Sequence, residues 1–330
     1  MKEEEIRPES VFNDYLALAE NDIKTYFFSS PLHYIPCPAC GKIQCIFQFR
    51  KMGFDYEECP QCGTLFVNPR PDESAFVRFY TDSPSVRFWA DHFYKNTEES
   101  RRNKLIRPKA ERVGRLLEKY LCFPENPAII DIGAGYGVFC EELKKILPNN
   151  YSVIGIEPAS SLQQICRQKN IPLIPKFLED VVPQDFEGYN IVAVTSFELL
   201  EHLYDPRRFI ETVSSLLHTD SLLILSTLSW DGFDLQVLRE SSKSIHPPHH
   251  INFFTPLSLS LMLKSAGFSI CEITTPGELD VDIVTKQLGD INDPFIKRIV
   301  SGDETVKKQF QIFLQKTNLS SHMMVVAKKK

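Results

Sequence analysis

Between about residues 124 and 274, short apolar runs alternate with segments whose apolar positions recur every three or four residues. The runs suit strands buried on both faces of a parallel sheet, and the spaced positions suit helices that cover it. The pattern predicts strands at 128–132, 152–157, 191–195, 222–227 and 268–273, and hence a doubly wound α/β fold. Two helix starts are marked by a capping residue followed by proline. Asp205-Pro206 precedes Phe209, Ile210, Val213, Leu216 and Leu217; Thr255-Pro256 precedes Leu259, Met262, Leu263 and Ala266, with Gly267 as the stop. Upstream, 73–121 reads as helical, with Val113, Leu116, Leu117, Tyr120 and Leu121 on one stripe. A further short helix lies in the first 30 residues, with Val11, Tyr15 and Leu18 on one side. Near the C-terminus, 323–327 reads as an edge strand and Lys328-Lys329-Lys330 as a solvated tail.

Composition narrows the class. A length of 330 residues suggests two or three compact units, and 43% apolar with 24% charged residues excludes a mainly disordered chain. Acidic residues outnumber basic ones, 43 to 37, which argues against a dedicated nucleic-acid binder. No apolar run approaches the ~18–20 residues that span a bilayer, and Met1-Lys2-Glu3-Glu4-Glu5 does not open a secretory signal. A cytoplasmic protein without membrane contact is expected. Nine cysteines, an odd number, then point to reduced thiols or metal thiolates. Cys45, Cys122, Cys140, Cys166 and Cys271 are scattered singly and read as small buried hydrophobes.

The other four form two pairs. Cys37-x2-Cys40 and Cys59-x2-Cys62, eighteen residues apart, have the spacing of a four-thiolate zinc ribbon. Four thiolates close a tetrahedron and leave no place for activated water, so such a zinc is structural. A redox pair or buried thiols are the competing uses of the same spacing.

Residues 129–137 read Ile-Ile-Asp-Ile-Gly-Ala-Gly-Tyr-Gly, a buried strand running into three glycines and then a helix. Glycines are needed where backbone turns sharply and approaches a ligand. Twenty residues after Gly137 the second strand ends at Glu157, whose carboxylate suits both hydroxyls of a ribose. The pair predicts an adenosine-containing cofactor. The dinucleotide fingerprint G-x-G-x-x-G needs glycine at 138, which is Val138, so the spacing is G-x-G-x-G. Here the sequence resembles the class I S-adenosylmethionine (AdoMet) methyltransferases. Their first motif is matched from Ile129 to Gly137, Val153-Ile154-Gly155-Ile156-Glu157 resembles the ribose-binding second strand, and 189–203 resembles the fourth strand with its Leu-Glu-His-Leu string (Leu200 to Leu203). The resemblance covers about 128–274. It implies a Rossmann-like seven-stranded sheet and AdoMet as cofactor. It also implies a lining of Asp131, Gly133, Ala134, Gly135, Tyr136, Gly137, Glu157, Pro158, Ser196 and Phe197, with Glu179 near the adenine. Glu179-Asp180 as a plain surface acidic pair is the other reading.

Residues 59–71 resemble the ribbon fused ahead of bacterial methyltransferases linked to glycan and sugar modification, and the four-cysteine module partly resembles that of sugar C-methyltransferases. The segment from His246 to Pro256 resembles a His-x-x-Phe-x-x-x-Ser-Leu stretch of related enzymes, with His250, Phe253, Ser258 and Leu259 at the matching positions. Phe253 stands where the sugar C-methyltransferases usually carry tyrosine. His250 is the candidate base or substrate-orienting residue, with His249 and His246 behind it; holding loop backbone groups is the plainer role. His202 reads as a brace of the turn after the fourth strand. Residues 95–119 carry nine basic side chains against four acidic, including Arg101, Arg102 and Arg107. These cations suit either a nucleotide-sugar diphosphate or a solvated helical face.

The expected organisation is an N-terminal helical segment (1–30), a zinc ribbon (31–72), a helical substrate-cap region (73–123) and a methyltransferase domain (124–330) with a C-terminal extension from about 275. The expected function is AdoMet-dependent methylation of a small polar acceptor, a sugar or nucleotide-sugar. The alternatives are an RNA methyltransferase gripping nucleic acid with the ribbon and 95–119, and a non-catalytic AdoMet-binding scaffold. The sequence leaves the acceptor atom and oligomeric state open.

Overall fold

The N-terminal third builds the parts that surround the sheet. In the computed structural model, which describes residues 2–121 and 125–330, helix α1 (Glu9–Tyr26) buries Phe12, Tyr15, Ala19 and Asp22. That face is rotated from the expected Val11/Tyr15/Leu18 side, because Tyr15 and Phe12 pack on Trp89 and Tyr15 also meets the histidine-rich loop. A two-residue pair, β1 (Leu32–His33) with β5 (Arg70–Pro71), brackets a small antiparallel sheet of β2 (Ile46–Lys51), β3 (Phe54–Glu58) and β4 (Leu65–Val67). Helix α2 (Glu73–Asp82) follows. Then α3 (Pro84–Phe88), α4 (Lys95–Arg101) and α5 (Arg107–Tyr120) run on through the π-helical turns Trp89–Tyr94 and Arg102–Ile106. Cys122 and the expected boundary at 123/124 lie outside the described residues.

The predicted apolar runs become β6 (Pro127–Ile132), β7 (Ser152–Ile156), β9 (Asn190–Phe197), β10 (Leu222–Leu228) and β12 (Phe268–Thr274), joined by β8 (Leu173–Ile174) and β13 (His322–Lys329). Their order is β12-β13-β10-β9-β6-β7-β8, with β13 antiparallel to both neighbours and the rest parallel. Helices cover both faces. On one, α5 lays Val113, Leu116 and Leu117 beside α6 (Val138–Ile146), over Ile129, Val153 and Ile224. On the other, α8 (Pro206–Leu216) and α10 (Pro256–Ser265) cover Ile130, Ile154 and Leu225. Both helix starts form as expected: Asp205 Oδ1 accepts from Arg208 N, and Thr255 and Ser258 cap one another.

Three expectations change. The run at 323–327 is no edge strand: it lies between β10 and β12, where its continuous apolar character is buried on both faces. The final lysines are not a free tail. Lys328 and Lys329 belong to β13, and Lys329 Nζ donates to Ser214 Oγ at 2.6 Å. Residues beyond 275 are an insertion, carrying α11 (Asp280–Lys286), α12 (Pro294–Val300) and α13 (Glu304–Lys316), before the chain re-enters the sheet. Among the described residues no helix is long and apolar enough to cross a membrane.

Candidate active site

The glycine loop leaves β6 where the strand order reverses, the place at which doubly wound sheets open a ligand crevice. Gly133, Gly135 and Gly137 have φ of 77°, 55° and 68°, a left-handed region that favours glycine. At Gly137 a Cβ would also meet Ile171 Cδ1 at 2.1 Å. Gly133 is exposed and Gly135 half-buried, whereas Ala134 and Tyr136 turn inward. Glu157, just beyond β7, is buried; its Oε2 accepts from Gly135 N and its Oε1 from Ala159 N, both at 2.9 Å. Burial raises its carboxyl against the pull of these two donors. A carboxylate offers about four lone-pair directions, so two remain for ligand hydroxyls.

The other residues expected around the cofactor divide. Asp131 is buried inside the sheet, its Oδ1 accepting from Thr195 Oγ1 at 2.8 Å and its Oδ2 facing the Cys140 thiol at 3.6 Å. Burial pushes its carboxyl up to about 7 despite both contacts. Tyr136 donates its hydroxyl to the Ala90 carbonyl, tying the loop to the helical run above. Phe197 packs edge-on against Phe139, 4.7 Å between ring centres, with Lys109 Nζ over its face. Ser196 is buried in β9 and Pro158 half-buried beside Glu157. Glu179 is exposed on the turn Leu178–Asp180.

Past β9 the chain turns sharply. Glu198 has φ of 49°, uncommon for a residue with a side chain. It accepts from Ser226 Oγ at 2.6 Å and lies 3.4 Å from both Lys109 Nζ and His322 Nδ1. Burial raises its carboxyl, but these two cations and the hydroxyl hold it well below the usual carboxylate range. Leu199 then packs under Gly133. Glu201, in the turn Leu200–His202, is 1% exposed, and Thr227 Oγ1 donates to its Oε2 at 2.8 Å. Burial, followed by the charge of Glu198, pushes the Glu201 carboxyl up.

The histidine-rich loop closes against this turn. Ile251 N donates to Glu201 O at 2.9 Å, and Asn252 Nδ2 to Leu203 O at 2.8 Å. His202 and His250 thereby face each other with ring centres 4.7 Å apart, while His246 and His249 stack at 5.6 Å deeper in the loop. His250 Nδ1 lies 2.6 Å from Ser244 O, so it carries the proton and Nε2 keeps the lone pair. Tyr80 Oη stands between His202 Nδ1, at 3.4 Å, and the His249 carbonyl, at 3.5 Å. Burial lowers all four imidazoles, His250 to about 4, so each is neutral at pH 7. His250 thus holds the loop backbone through one ring nitrogen and leaves the other unbonded, and His202 contacts Tyr80 across the turn. Glu198 and Glu201 lie in the 189–203 stretch but carry no mark of burial there, and nothing in the sequence singles out Tyr80.

The cysteine pairs converge. Cys37 and Cys62 Sγ are 3.6 Å apart, Cys40 and Cys59 Sγ 3.5 Å, and all four lie within 4.8 Å of one another. Sulfurs at about 2.3 Å from one ion would be about 3.8 Å apart, so the set fits tetrahedral zinc. Two like turns, Cys37-Pro38-Ala39-Cys40-Gly41 and Cys59-Pro60-Gln61-Cys62-Gly63, carry them, each ending in a glycine at positive φ. Beyond the cluster, the small sheet gains a fourth strand, β11 (Asn252–Phe253), antiparallel to β4. The cysteine module therefore grips the histidine loop directly, and Tyr56 Oη donates to His250 O at 2.8 Å.

The basic run of 95–119 is largely paired. Arg102 meets Glu98, Glu141 and Glu142; Arg107 meets Glu142; Lys104, Lys109 and Lys119 meet Glu5, Glu198 and Glu272. Arg102 and Arg107 thereby join the helical run to α6, Arg102 half-buried among three carboxylates and Arg107 half-exposed.

Comparison with known proteins agrees with this geometry. A family described as "Methyltransferase domain" matches residues 99–273. The ubiquinone biosynthesis O-methyltransferase of Xanthomonas axonopodis pv. citri is 27% identical over 165 residues, 46% of this chain and 66% of that protein. The protein of the same name from Hydrogenovibrio crunogenus is 30% identical over 162 residues, 45% of this chain and 64% of that one. The chain thus spans just under two thirds of these relatives' length. The plantazolicin methyltransferase BpumL in complex with SAH shares the fold, with a TM-score of 0.50 at 14% identity over 77% of this chain and 94% of that chain.

Proposed function

The chain belongs to the methyltransferase-domain family, and we propose that it carries a methyl group from AdoMet to a hydroxyl oxygen of a small polar acceptor in the cytoplasm. AdoMet, when bound, supplies a sulfonium methyl carbon that an aligned hydroxyl oxygen can attack, with S-adenosylhomocysteine as the leaving thioether. The observation carrying this reading is the 2.9 Å bond from Gly135 N to Glu157, which joins the turn after β6 to the carboxylate after β7. It fixes the carboxylate at the crevice outside the strand ends, where an acid accepts from the hydroxyls of a ribose.

In this reading Gly133 and Gly135 admit the cofactor's backbone-facing end and Glu157 holds the ribose. Pro158, Ser196, Phe197 and Glu179 flank it, while Asp131, Ala134, Tyr136 and Gly137 keep the loop in shape. His250, whose Nδ1 is held by Ser244 O, orients the acceptor hydroxyl, whose proton passes to water as the new C–O bond forms, with His202 and His249 holding its surroundings. The O-methyltransferase relatives favour oxygen as the acceptor atom. The likeness of 59–71 to ribbons of glycan-modifying enzymes favours a sugar hydroxyl, and the pairing of Arg102 and Arg107 favours an acceptor without a diphosphate. The four cysteines hold a structural zinc. Residues 31–72 act as its ribbon, 1–30 and 73–123 as the cover, and 124–330 as the catalytic sheet.

Calorimetry with S-adenosylhomocysteine on the zinc-loaded chain should give one site. Glu157→Gln should weaken it roughly ten- to hundredfold, the range for a lost bond to a charged group. A labelled-methyl assay over free sugars, then nucleotide-sugars, identifies the acceptor. A folded protein that gives no heat with S-adenosylhomocysteine overturns the reading.

A further inference from the structure

We propose that Glu201, His202 and His250 form a second metal centre, separate from the four cysteines, which takes a first-row divalent cation and offers it to the acceptor's oxygens. One ligand atom from each of the three lies within 4.8 Å of the others. Nitrogen and oxygen ligands about 2.0–2.2 Å from an ion sit about 3–3.5 Å apart, so side chains need to draw in by roughly an ångström. That movement is small for rings and a carboxylate carried on two facing loops.

The surroundings prepare these groups for coordination. A metal-binding imidazole ordinarily donates its other N–H to a carbonyl or similar acceptor, which fixes the tautomer. His250 does so through Nδ1 and Ser244 O, 2.6 Å apart. Tyr80, whose hydroxyl donates to the His249 carbonyl, can accept from His202 Nδ1 and so leave His202 Nε2 its lone pair. Thr227 Oγ1 holds one oxygen of Glu201. Glu201 is almost wholly buried, and among the described residues no basic side chain forms an ion pair with it. A carboxylate so placed is stable beside a cation or as the neutral acid, and seldom otherwise.

Two imidazoles and one carboxylate suit manganese, iron, cobalt or zinc better than calcium, and such a three-ligand set leaves further positions for oxygen donors. Those positions belong to the acceptor by location. The turn bearing Glu201 and His202 follows Leu199, which packs directly beneath Gly133. An acceptor with neighbouring hydroxyls, as in a sugar, could bind through both oxygens while one of them faces the methyl group. This assignment of the acceptor rests on the methyl-transfer reading; the metal centre itself does not.

The test uses Co2+ on the full, zinc-loaded chain. One Co2+ should bind without the thiolate charge-transfer absorption of a cysteine site, and should shift two exchangeable imidazole N–H resonances. Glu201→Gln and His250→Gln should each weaken it at least about tenfold, with zinc content and S-adenosylhomocysteine affinity unchanged. No Co2+ binding, binding with fewer than two shifted imidazoles, or equal affinity in the two variants and the wild type overturns the proposal. If S-adenosylhomocysteine fails to bind while Co2+ behaves as expected, the methyl-transfer reading falls and the metal centre stands.

Discussion

Asp131 shows how one residue's surroundings decide its role. Its carboxyl is raised to about 7 by burial, while in an unfolded chain it titrates near 4. Between these values the folded state keeps the proton that the unfolded chain has released. The stabilisation is therefore fully present below about pH 4 and is lost as pH rises through about 7, up to about 4 kcal/mol in all. An asparagine in its place would keep an acceptor for Thr195 without the charge. Asp131→Asn should accordingly gain melting temperature over the wild type as pH goes from about 4 to about 8, and a constant difference across that range would refute the account. The sequence marked Asp131 as an acid before a glycine loop, but spacing alone did not show that its oxygens face Thr195 and Cys140. Glu157 was legible because a strand end lies a fixed distance from the loop. Glu201 was not, because nothing in a string of letters shows that an acid is buried without a cation.

At the scale of elements, Thr255 joins two tasks that its sequence context announces only in part. Thr-Pro foretold the start of α10, and the hydroxyl does accept from Ser258 N at 3.0 Å. It also donates to the Cys62 carbonyl at 2.8 Å, which fastens the second cysteine turn to the helix. Thr255→Ala removes both bonds and leaves a buried carbonyl without its donor, a loss of about 1–3 kcal/mol. Thr255→Ser, which keeps the hydroxyl, should recover most of it; urea unfolding of the pair measures the difference. The parallel strands were readable because runs of three or four apolar residues, alternating with amphipathic segments, have few other uses. β13 was misplaced since an apolar run does not say which neighbours it pairs with. β11 was invisible: two residues carry no periodicity, and their pairing with β4 depends on a module almost two hundred positions earlier.

That distant pairing makes the whole molecule, and not the sheet alone, the owner of the histidine loop. Arg70 leaves the cysteine module fully buried and donates to the Tyr204 carbonyl, to Asn252 Oδ1 at 2.8 Å and to Ile251 O at 3.4 Å. One guanidinium thus spans both loops that carry His202 and His250, which a lysine's single ammonium cannot reproduce. The Gly135–Glu157 contact lies across β6 and β7, on the other side of the strand-order reversal. The two halves of the site should therefore fail separately. Arg70→Lys, or removal of the proposed zinc with a chelator, should lower the rate of methyl transfer up to about a hundredfold, as expected when reacting groups shift by an ångström. Affinity for S-adenosylhomocysteine, read by calorimetry on the same samples, should change by no more than about threefold, about 0.65 kcal/mol. If both measures collapse together, the cysteine module supports the entire fold. If neither moves, the contacts of Arg70 and β11 do not set the position of the histidines, and this buttress has no part in catalysis.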